Sequence, residues 1–284
     1  MFLGNLMGRL DGKVAIITGC GRGFGEAMAK LFSKEGAAVS ISDIIPVEDL
    51  WNRVGLKIKA NNHKVICLNV DISKEDQVNN MVKETIKQFG RIDILVNNVG
   101  ITGPTKDCWN VTLEEWNRTL SVNINGTFLC TKAVLPEMIE RKNGRIINMS
   151  SITGKNPLPH RTPYATSKMG IIGFTRTLAV EVGKFNITVN AICPGLPGGE
   201  RNLEMARDLA ELQGKSFNPE EFRTKLEEQR RKGVLGGRYL VGEGYSEALI
   251  SHDDVAYMAL FLASDEAGKI TGQDFNVCAG FYMG

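Results

Sequence analysis

The amino-acid sequence predicts a doubly wound α/β fold, in which a parallel sheet carries helices on both faces. Two observations lead to this prediction. Short apolar runs rich in β-branched residues recur along the chain, as is typical of strands buried in a parallel sheet. Stretches long enough for helices separate these runs, and such alternation implies helices on both faces of the sheet. The chain has 284 residues and is 43% hydrophobic, so it can bury a sizeable core.

Charge and cysteine content exclude several classes of function. A net charge of +2 does not indicate nucleic acid or an anionic membrane as a partner. Apolar runs stay well below the ~18 residues of a membrane span. The six cysteines form no C-x-x-C pair, so we expect no metal site. Reduced thiols and the lack of an export signal predict a cytoplasmic protein, with residues 1–10 as a loose leader.

A glycine-rich turn follows the first predicted strand. Lys13–Thr18 predicts a buried strand, residues 19–25 contain four glycines, and a helix is predicted over Glu26–Gly36. This arrangement is typical of dinucleotide sites, because glycines let the backbone approach a pyrophosphate and the helix N-terminus supplies amide donors. An ordinary β-α turn is the alternative interpretation.

Asp43 follows the second predicted strand, Ala37–Ser42, at about the distance from the glycine turn where a carboxylate accepts hydrogen bonds from the adenosine ribose. The same negative charge would repel a 2′-phosphate, which favours NAD over NADP. Arg22, in the glycine turn, could instead accommodate that phosphate, so NADP remains the alternative.

The alternation continues to the end of the chain. Ser73 is predicted to cap one helix, and Thr112 with Glu115 forms a capping box for another. Pro163 suits the first position of a third helix. In chain order, the predicted elements are a helix over Val47–Asn61, a strand over Lys64–Val70, a helix from Ser73 to Phe89, a strand over Ile92–Val96, a helix from Thr112 to Arg141, a strand over Gly144–Met149, a helix from Pro163 to Glu181, a strand over Ile187–Ile192, a helix over Asp253–Ala263 and a strand over Asp274–Val277.

Polar residues follow three of the predicted strands, namely Asp43, Asp71 and Asn98. The carboxyl ends of parallel strands share one edge of the sheet, where ligands bind in doubly wound folds. We therefore expect these side chains at one site. Asn123 lies inside a predicted helix, where asparagine is unfavourable, so it either faces solvent or a neighbouring helix, or contributes to a site.

Tyr164 and Lys168 are four residues apart on a predicted helix, so their side chains lie on one face. A free tyrosine ionises only near pH 10, and a nearby ammonium favours the phenolate. The pair can therefore transfer a proton near neutral pH. The pattern alone also occurs on solvated helix faces.

Seven motifs taken together resemble the short-chain dehydrogenase/reductase family, of its common tetrameric type. They are, in chain order, T-G-C-G-R-G-F-G at 18–25, Asp71, N-N-V-G at 97–100, Asn123, Ser151, the Tyr164/Lys168 pair and P-G at 194–195. The resemblance covers about residues 11–195. It implies a Rossmann fold over 1–284 as one domain, with a seven-stranded parallel sheet in the order 3-2-1-4-5-6-7, and a homotetramer or homodimer.

The resemblance also implies residue roles. Tyr164 would be the acid/base, Lys168 would promote its ionisation, and Ser151 would hydrogen-bond the substrate oxygen, with Ser150 as the alternative serine. Asn123 would hold a water that links Lys168 to solvent. The implied NAD site consists of Thr18, Gly19, Arg22, Gly23, Phe24, Gly25, Asp43, Asp71, Ile72, Asn98, Gly100, Tyr164, Lys168, Pro194 and Gly195.

The sequence departs from the family pattern in four places. Val99 replaces a usual alanine, the usual threonine after Gly195 is missing, residues 276–280 differ from V-D-G-G, and the stretch 196–251 is longer than usual. We expect this insertion to form a lid over the substrate, with helices over Glu200–Glu211 and Asn218–Lys232.

Three basic residues are candidate substrate contacts. Arg201 and Arg238 in the lid could clamp an anionic group, although the acidic residues interleaved with the lid arginines are equally typical of a solvated helix. His160 lies four residues before Tyr164, in a loop expected to face the substrate.

The sequence therefore predicts an NAD-dependent oxidoreductase that interconverts an alcohol and a carbonyl, with Tyr164 as acid/base. A small polyol, or a hydroxy compound with a carboxylate or sulfonate, is the expected substrate. One alternative is an NADP-dependent carbonyl or 3-oxoacyl reductase, which Asp43 disfavours. The other is a non-enzymatic nucleotide-binding regulator, which the intact Ser151, Tyr164 and Lys168 disfavour.

Overall fold

The computed structural model describes residues 8–195, 200–212, 214–222, 224, 250–280 and 282. Seven parallel strands form one sheet in the order β3-β2-β1-β4-β5-β6-β7, which confirms the predicted order. The strands are β1 (Val14–Thr18), β2 (Ala38–Asp43), β3 (Val65–Asn69), β4 (Ile94–Asn97), β5 (Gly144–Met149), β6 (Ile187–Pro194) and β7 (Asp274–Val277).

Helices connect the strands and cover both faces of the sheet. Two π-helical turns, Trp51–Gly55 and Ser121–Asn125, join α2 to α3 and α5 to α6, so each pair continues along one path as the sequence predicted. The helices are α1 (Gly23–Lys34), α2 (Val47–Leu50), α3 (Leu56–Ala60), α4 (Glu75–Phe89), α5 (Leu113–Leu120), α6 (Gly126–Arg141), α7 (Ile152–Lys155), α8 (Thr162–Val182), α9 (Glu200–Leu212) and α10 (His252–Ala263), with 3-10 turns at Cys108–Asn110, Gly183–Phe185 and Asp265–Ala267. Residues 219–222 are also helical.

Several boundaries differ from the predicted ones. Helix α1 begins at Gly23, three residues before the predicted start, because part of the glycine turn already belongs to the helix. The prediction of Ser73 as N-cap is wrong: Lys74 is the N-cap of α4, and the Ser73 hydroxyl donates to the Asp71 carboxylate instead (2.7 Å). Pro163 is the second residue of α8, since that helix starts at Thr162.

The hydrophobic core has two layers because neighbouring strand residues point to opposite faces. Ile17 belongs to the layer under α1 and α10, with Phe32 and Leu260. Ile16 belongs to the layer under α4, α6 and α8, with Met81 and Leu178. All of these side chains are buried. The two layers confirm helices on both faces of the sheet.

Packing already begins inside the segment predicted to be a loose leader. Leu10 is fully buried, and its N–H donates to the carbonyl of Glu35 (2.9 Å). The Arg9 side chain pairs with Glu266 (2.5 Å). Residues 8–10 are therefore docked against α1 and the Asp265–Ala267 turn, whereas residues 1–7 lie outside the described part of the chain.

A buried carboxylate ties the amino ends of the central strands together. Asp93, 1% exposed, directly precedes β4 and accepts the N–H of Val14 at the start of β1 (2.8 Å). Its Oδ1 also forms ion pairs with the guanidinium groups of Arg91 (2.6 Å) and Arg141 (3.3 Å). The hydrogen bonds that Arg91 donates to the Asp93 carboxylate raise the pKa of Arg91. This cluster lies at the end of the sheet opposite the predicted site.

Candidate active site

The glycine turn between β1 and α1 is closed tightly at its glycine positions. Gly19 and Gly23 have φ values of +72° and +67°, which favour glycine. A Cβ on Gly25 would lie 2.1 Å from the carbonyl oxygen of Gly19. The N-cap residue Arg22 has no capping side-chain hydrogen bond within the described residues, so the first-turn amides of α1 can meet an anion. The turn fits a dinucleotide pyrophosphate.

Thr18 and Asn98 hold this turn in place from two neighbouring strands. The Asn98 amide donates to the carbonyls of Thr18 and Gly19, both at 2.9 Å. The Asn98 N–H donates to the Thr18 hydroxyl (3.1 Å), and Val99 packs against Gly19. The Asn98 side chain is therefore used to fix the turn, and its predicted contact with a cofactor remains a prediction.

The Asp43 carboxylate lies beside the glycine turn in a fixed orientation. Its Oδ2 accepts the N–H of Gly21 (2.7 Å), and its Oδ1 accepts the N–H of Ile44 (2.8 Å). A carboxylate offers roughly four acceptor positions, so these bonds leave capacity for ribose hydroxyls. Phe24, in the first turn of α1, meets the ring of His252 edge-on with 5.2 Å between centroids.

Asp71 and Ile72 follow β3 and lie beside the α5–α6 path. Burial opposes ionisation of Asp71, but hydrogen bonds from Ser73, with Arg118 and Lys74, hold the pKa of this carboxyl below its usual value. Ile72 is buried, and a Cβ on Gly126 would lie 2.4 Å from its side chain. The Ile72 side chain thus belongs to the core next to α6.

The side chains of Tyr164 and Lys168 converge on one face of α8. The Lys168 ammonium lies 5.7 Å from the centroid of the Tyr164 ring and donates to the carbonyl of Met149 at the end of β5 (2.8 Å). Lys168 is 3% exposed, whereas Tyr164 is half-buried. A Cβ on Gly100 would lie 3.0 Å from the Lys168 nitrogen, so Gly100 packs closely against the ammonium.

Asn123 connects the π-helical turn to this pair through backbone contacts. Its Oδ1 accepts the N–H of Ile101 (2.8 Å). Its Nδ2 donates to the carbonyl of Ile101 (2.9 Å) and to the Ser167 hydroxyl (2.9 Å). Ser167 in turn donates to the carbonyl of Tyr164 (2.7 Å). Asn123 is fully buried and positions α8; its predicted water-holding role remains a prediction.

The two serines after β5 have different partners. The Ser150 hydroxyl donates to the carbonyl of Lys168 (2.7 Å), which fixes α8 against β5. The Ser151 oxygen accepts the N–H of Thr153 (3.1 Å) as the N-cap of α7. Among the described residues, the Ser151 hydroxyl donates to no protein group, so its proton is available to a ligand.

The predicted substrate contacts are only partly described. His160 has a φ of +61°, and its Nδ1 lies 2.9 Å from Asp107 Oδ1 without forming a hydrogen bond to it. Arg201 lies in α9, but its side chain is outside the described residues, as is the whole of Arg238. The described part of the second lid helix begins as predicted, since the Asn218 side chain accepts the N–H of Glu220 (3.0 Å).

Arg161 is a site residue that the sequence analysis missed. It is 5% exposed, its guanidinium carbon lies 5.1 Å from the centroid of the Tyr164 ring, and it donates to the Thr105 hydroxyl (3.2 Å). The sequence contained a signal for it, because Arg161 precedes Tyr164 by three residues, about one helical turn.

The end of β6 completes the carboxyl edge. The N–H of Gly195 donates to the carbonyl of Val277 (2.8 Å), and a Cβ on Gly195 would lie 2.9 Å from Cys278. The Pro194–Gly195 segment is therefore fixed to β7.

Burial raises the pKa values of Cys20 and Cys193, so neither thiol is a nucleophile at neutral pH. Within the described ranges, no group of side chains is arranged to hold a metal ion.

Comparison with known proteins identifies the family. The sequence model of the family described as short chain dehydrogenase matches residues 13–208, more than half of the chain. The protein is a short-chain dehydrogenase/reductase. Members of this family are oxidoreductases that use nicotinamide cofactors.

Two curated relatives and one solved structure align over nearly the whole chain. Subunit BbsD of a hydroxy(phenyl)methylsuccinyl-CoA dehydrogenase from Thauera aromatica is 38% identical, over 95% of this chain and 97% of the relative. The 3-oxoacyl-(acyl-carrier-protein) reductase FabG from Thermotoga maritima is 36% identical, over 97% of this chain and 100% of the relative. Carveol dehydrogenase from Mycobacterium avium, in complex with NAD, has a TM-score of 0.84 at 28% identity, covering 96% of this chain and 98% of that one.

Proposed function

We propose that this short-chain dehydrogenase/reductase interconverts an alcohol and a carbonyl with NAD as its cofactor. The observation that carries the proposal is the convergence of Tyr164 and Lys168 on one face of α8, close to Gly100 and the end of β5. The glycine turn and Asp43 lie at the same carboxyl edge of the sheet. One edge thus holds the groups for nucleotide binding and for proton transfer.

The protein's own groups would handle the proton and the developing charge. A nicotinamide cofactor, when bound, supplies or accepts the hydride. Tyr164 exchanges the proton with the substrate oxygen, and the Lys168 ammonium lies beside its ring. Ser151, whose hydroxyl proton is available, donates to the same oxygen and stabilises alkoxide charge. Asn123 keeps α8 in register through Ser167.

The choice of NAD over NADP rests on the surroundings of Asp43. Its carboxylate is fixed by the amides of Gly21 and Ile44, so its charge remains where a 2′-phosphate would lie. The next two residues, Ile44 and Ile45, offer no positive charge to such a phosphate. The NADP-dependent reductase is the second candidate, and it is favoured by Arg22 and by the similarity to FabG.

Replacing Asp43 by alanine is expected to lower NADH affinity by about 10- to 100-fold, because hydrogen bonds to a charged group are lost. The same change should leave NADPH affinity equal or higher. Fluorescence titration of both cofactors measures this. Asp49→Ala, at an exposed position on α2, is the matched control and should change neither affinity. Preference of the unmodified protein for NADPH would contradict the NAD assignment and favour the reductase.

Substitution of Ser151 by alanine should lower kcat/KM about 100-fold, because one donor to the reacting oxygen is lost. The neighbouring Ser150→Ala provides the comparison. It removes a buried hydrogen bond to the Lys168 carbonyl and should lower the free energy of unfolding by about 1–3 kcal/mol, with a smaller loss of activity. Steady-state kinetics and thermal melts on both variants separate the two roles; equal activity losses would contradict the assignment of Ser151.

The chemistry is shared by relatives with different substrates, so the substrate class must come from this chain's own residues. A small polyol and a hydroxy acid remain the two predicted classes. The relative from Thauera aromatica supports an acidic or acyl substrate, since its name includes a succinyl-CoA. A nucleotide-binding regulator without activity is the least favoured alternative, because binding alone would not require the buried Lys168 beside Tyr164.

We also propose a cytoplasmic homotetramer or homodimer. Exposed apolar side chains on three neighbouring helices support association, namely Leu113 on α5, Phe128 on α6, and Met169 and Val180 on α8. In the described residues, no helix is long and apolar enough to cross a membrane. Light scattering measures the molar mass and so gives the number of subunits in the assembly. A monomer at micromolar concentration would contradict association.

A further inference from the structure

We propose that His252 is a further binding residue for the cofactor, and that its imidazole Nε2 donates a hydrogen bond to the diphosphate. This inference rests on the proposed function, because it adds a contact to the same nicotinamide cofactor site. His252 lies outside the seven sequence motifs of that site. Both NAD and NADP carry the diphosphate, so the inference does not depend on the choice between them.

The position of His252 beside the glycine turn is the first argument. Gly23 is the first residue of α1 and has a φ of +67°. A Cβ on Gly23 would lie 3.7 Å from Nε2 and 3.9 Å from Cδ2 of His252. Apart from the adjoining backbone, no other atom of the described residues would come within 4 Å of it. The Nε2 edge of the imidazole therefore borders the amino end of α1.

Two helices hold the imidazole in this position. His252 is the first residue of α10, and its ring meets the ring of Phe24 edge-on with 5.2 Å between centroids. The N-cap Ser251 accepts the N–H of Asp254 (3.1 Å), and the Asp254 carboxylate accepts the N–H of Ser251 (2.7 Å). Helices α1 and α10 also share one layer of the core. A donor carried by such fixed elements is suited to bind a ligand.

The ring nitrogens of His252 are available to a ligand. The side chain is exposed, and within the described part of the chain it forms no hydrogen bond to another protein group. An imidazole carries a proton on Nε2 in one neutral tautomer and in its protonated form. His252 can therefore donate to a phosphate oxygen without giving up a hydrogen bond inside the protein.

The order of groups along the glycine turn matches the order of groups in a dinucleotide. At Gly21, the turn donates its N–H to Asp43 (2.7 Å), the carboxylate proposed to hold the adenosine ribose. Two residues further, at Gly23, the first-turn amides of α1 lie beside His252. The diphosphate follows the ribose through its 5′ carbon. A ribose at Asp43 therefore brings the diphosphate towards Gly23 and His252.

Packing against Phe24 is the other role that His252 could have, and two variants separate the roles. His252→Phe keeps an aromatic ring against Phe24 and removes the N–H donor. His252→Gln removes the ring and keeps an amide N–H at about the reach of Nε2. His63→Gln is the matched control, because His63 precedes β3 and so lies at the amino end of the sheet, away from the glycine turn.

The experiment compares ligands with and without the diphosphate. Fluorescence titration gives the dissociation constant of NADH or NADPH, whichever the unmodified protein binds more tightly. ADP and adenosine are then measured by displacement of that cofactor. ADP carries the diphosphate, whereas adenosine keeps only the base and the ribose. Thermal melts of all variants test whether each remains folded.

We expect His252→Phe to weaken the binding of the cofactor and of ADP by about 5- to 10-fold, because one hydrogen bond to a phosphate is lost. Adenosine affinity should change by less than about 2-fold, since adenosine has no phosphate. His252→Gln should bind all three ligands within about 3-fold of the unmodified protein, because it keeps a donor. His63→Gln should change none of the affinities.

Three results would overturn the inference. Unchanged cofactor and ADP affinity in His252→Phe would mean that the ring only packs against Phe24. Equal weakening of ADP and adenosine would indicate a displaced glycine turn instead of a lost contact with phosphate. Binding by His252→Gln as weak as that of His252→Phe would contradict the donor role. Each of these results leaves the proposed oxidoreductase intact, whereas an unmodified protein that binds neither NADH nor NADPH contradicts the proposed function itself.

Discussion

Replacing Tyr164 by phenylalanine is expected to lower kcat by about 1,000-fold, because positioned acid/base groups contribute about 10²–10⁴ to enzymatic rates. Phenylalanine keeps the ring against which the cations of Lys168 and Arg161 lie and removes only the hydroxyl group. NADH binding and the melting temperature should therefore change little. The measurement is the single-turnover rate of NADH oxidation with a carbonyl substrate that the unmodified enzyme reduces.

The control for this prediction is Tyr257→Phe. Tyr257 lies on α10 and is 59% exposed, so loss of its hydroxyl should leave the rate unchanged. If Tyr164→Phe retained more than a tenth of the rate, Tyr164 would not be the acid/base, and the buried Lys168 would become the next candidate for proton transfer.

The second large effect concerns stability. Asp93→Ala is expected to lower the free energy of unfolding by about 3–5 kcal/mol, because it leaves Arg91 and Arg141 without their shared carboxylate. It also removes the acceptor for the Val14 N–H at the start of β1. For a chain of this size, such a loss corresponds to a fall in melting temperature of about 6–20 °C.

Cofactor binding separates this effect from damage to the active site. Asp93 lies at the amino end of the sheet, so NADH affinity at temperatures below unfolding should be preserved. Glu84→Ala is the control, since Glu84 forms a surface pair with Lys87 (3.3 Å) and its loss should cost less than about 1 kcal/mol. A fall of less than 3 °C for Asp93→Ala would mean that water replaces the carboxylate at little cost.

Local spacing was sufficient for several site features. The capping box of Thr112 and Glu115 is present as predicted, because both partners lie within one turn of α5. Lys168 lies beside Tyr164 because positions four apart share a helix face. The tight glycine turn follows from the lack of side chains at Gly19 and Gly25.

Competition between hydrogen-bond partners explains one wrong prediction and one contact that was not predicted. Ser73 has the chemistry of an N-cap, but its hydroxyl donates to Asp71 two residues earlier. The Asn98 amide bonds the carbonyls of Thr18 and Gly19, a contact that the spacing did not predict, and its cofactor contact stays a prediction. The sequence contains each donor, but which acceptor it meets depends on how neighbouring strands align.

The sequence by itself determined the alternation of strands and helices, the glycine turn and the Tyr164/Lys168 pair, because these depend on residue type and on spacing within one element. Its motifs also led to the correct family and strand order. Only the tertiary structure decided the contacts between elements. The Ser150 hydroxyl donates to the Lys168 carbonyl, and Arg161 donates to the Thr105 hydroxyl, because separate segments pack at one edge of the sheet. These contacts depend on long-range packing, which no local pattern specifies.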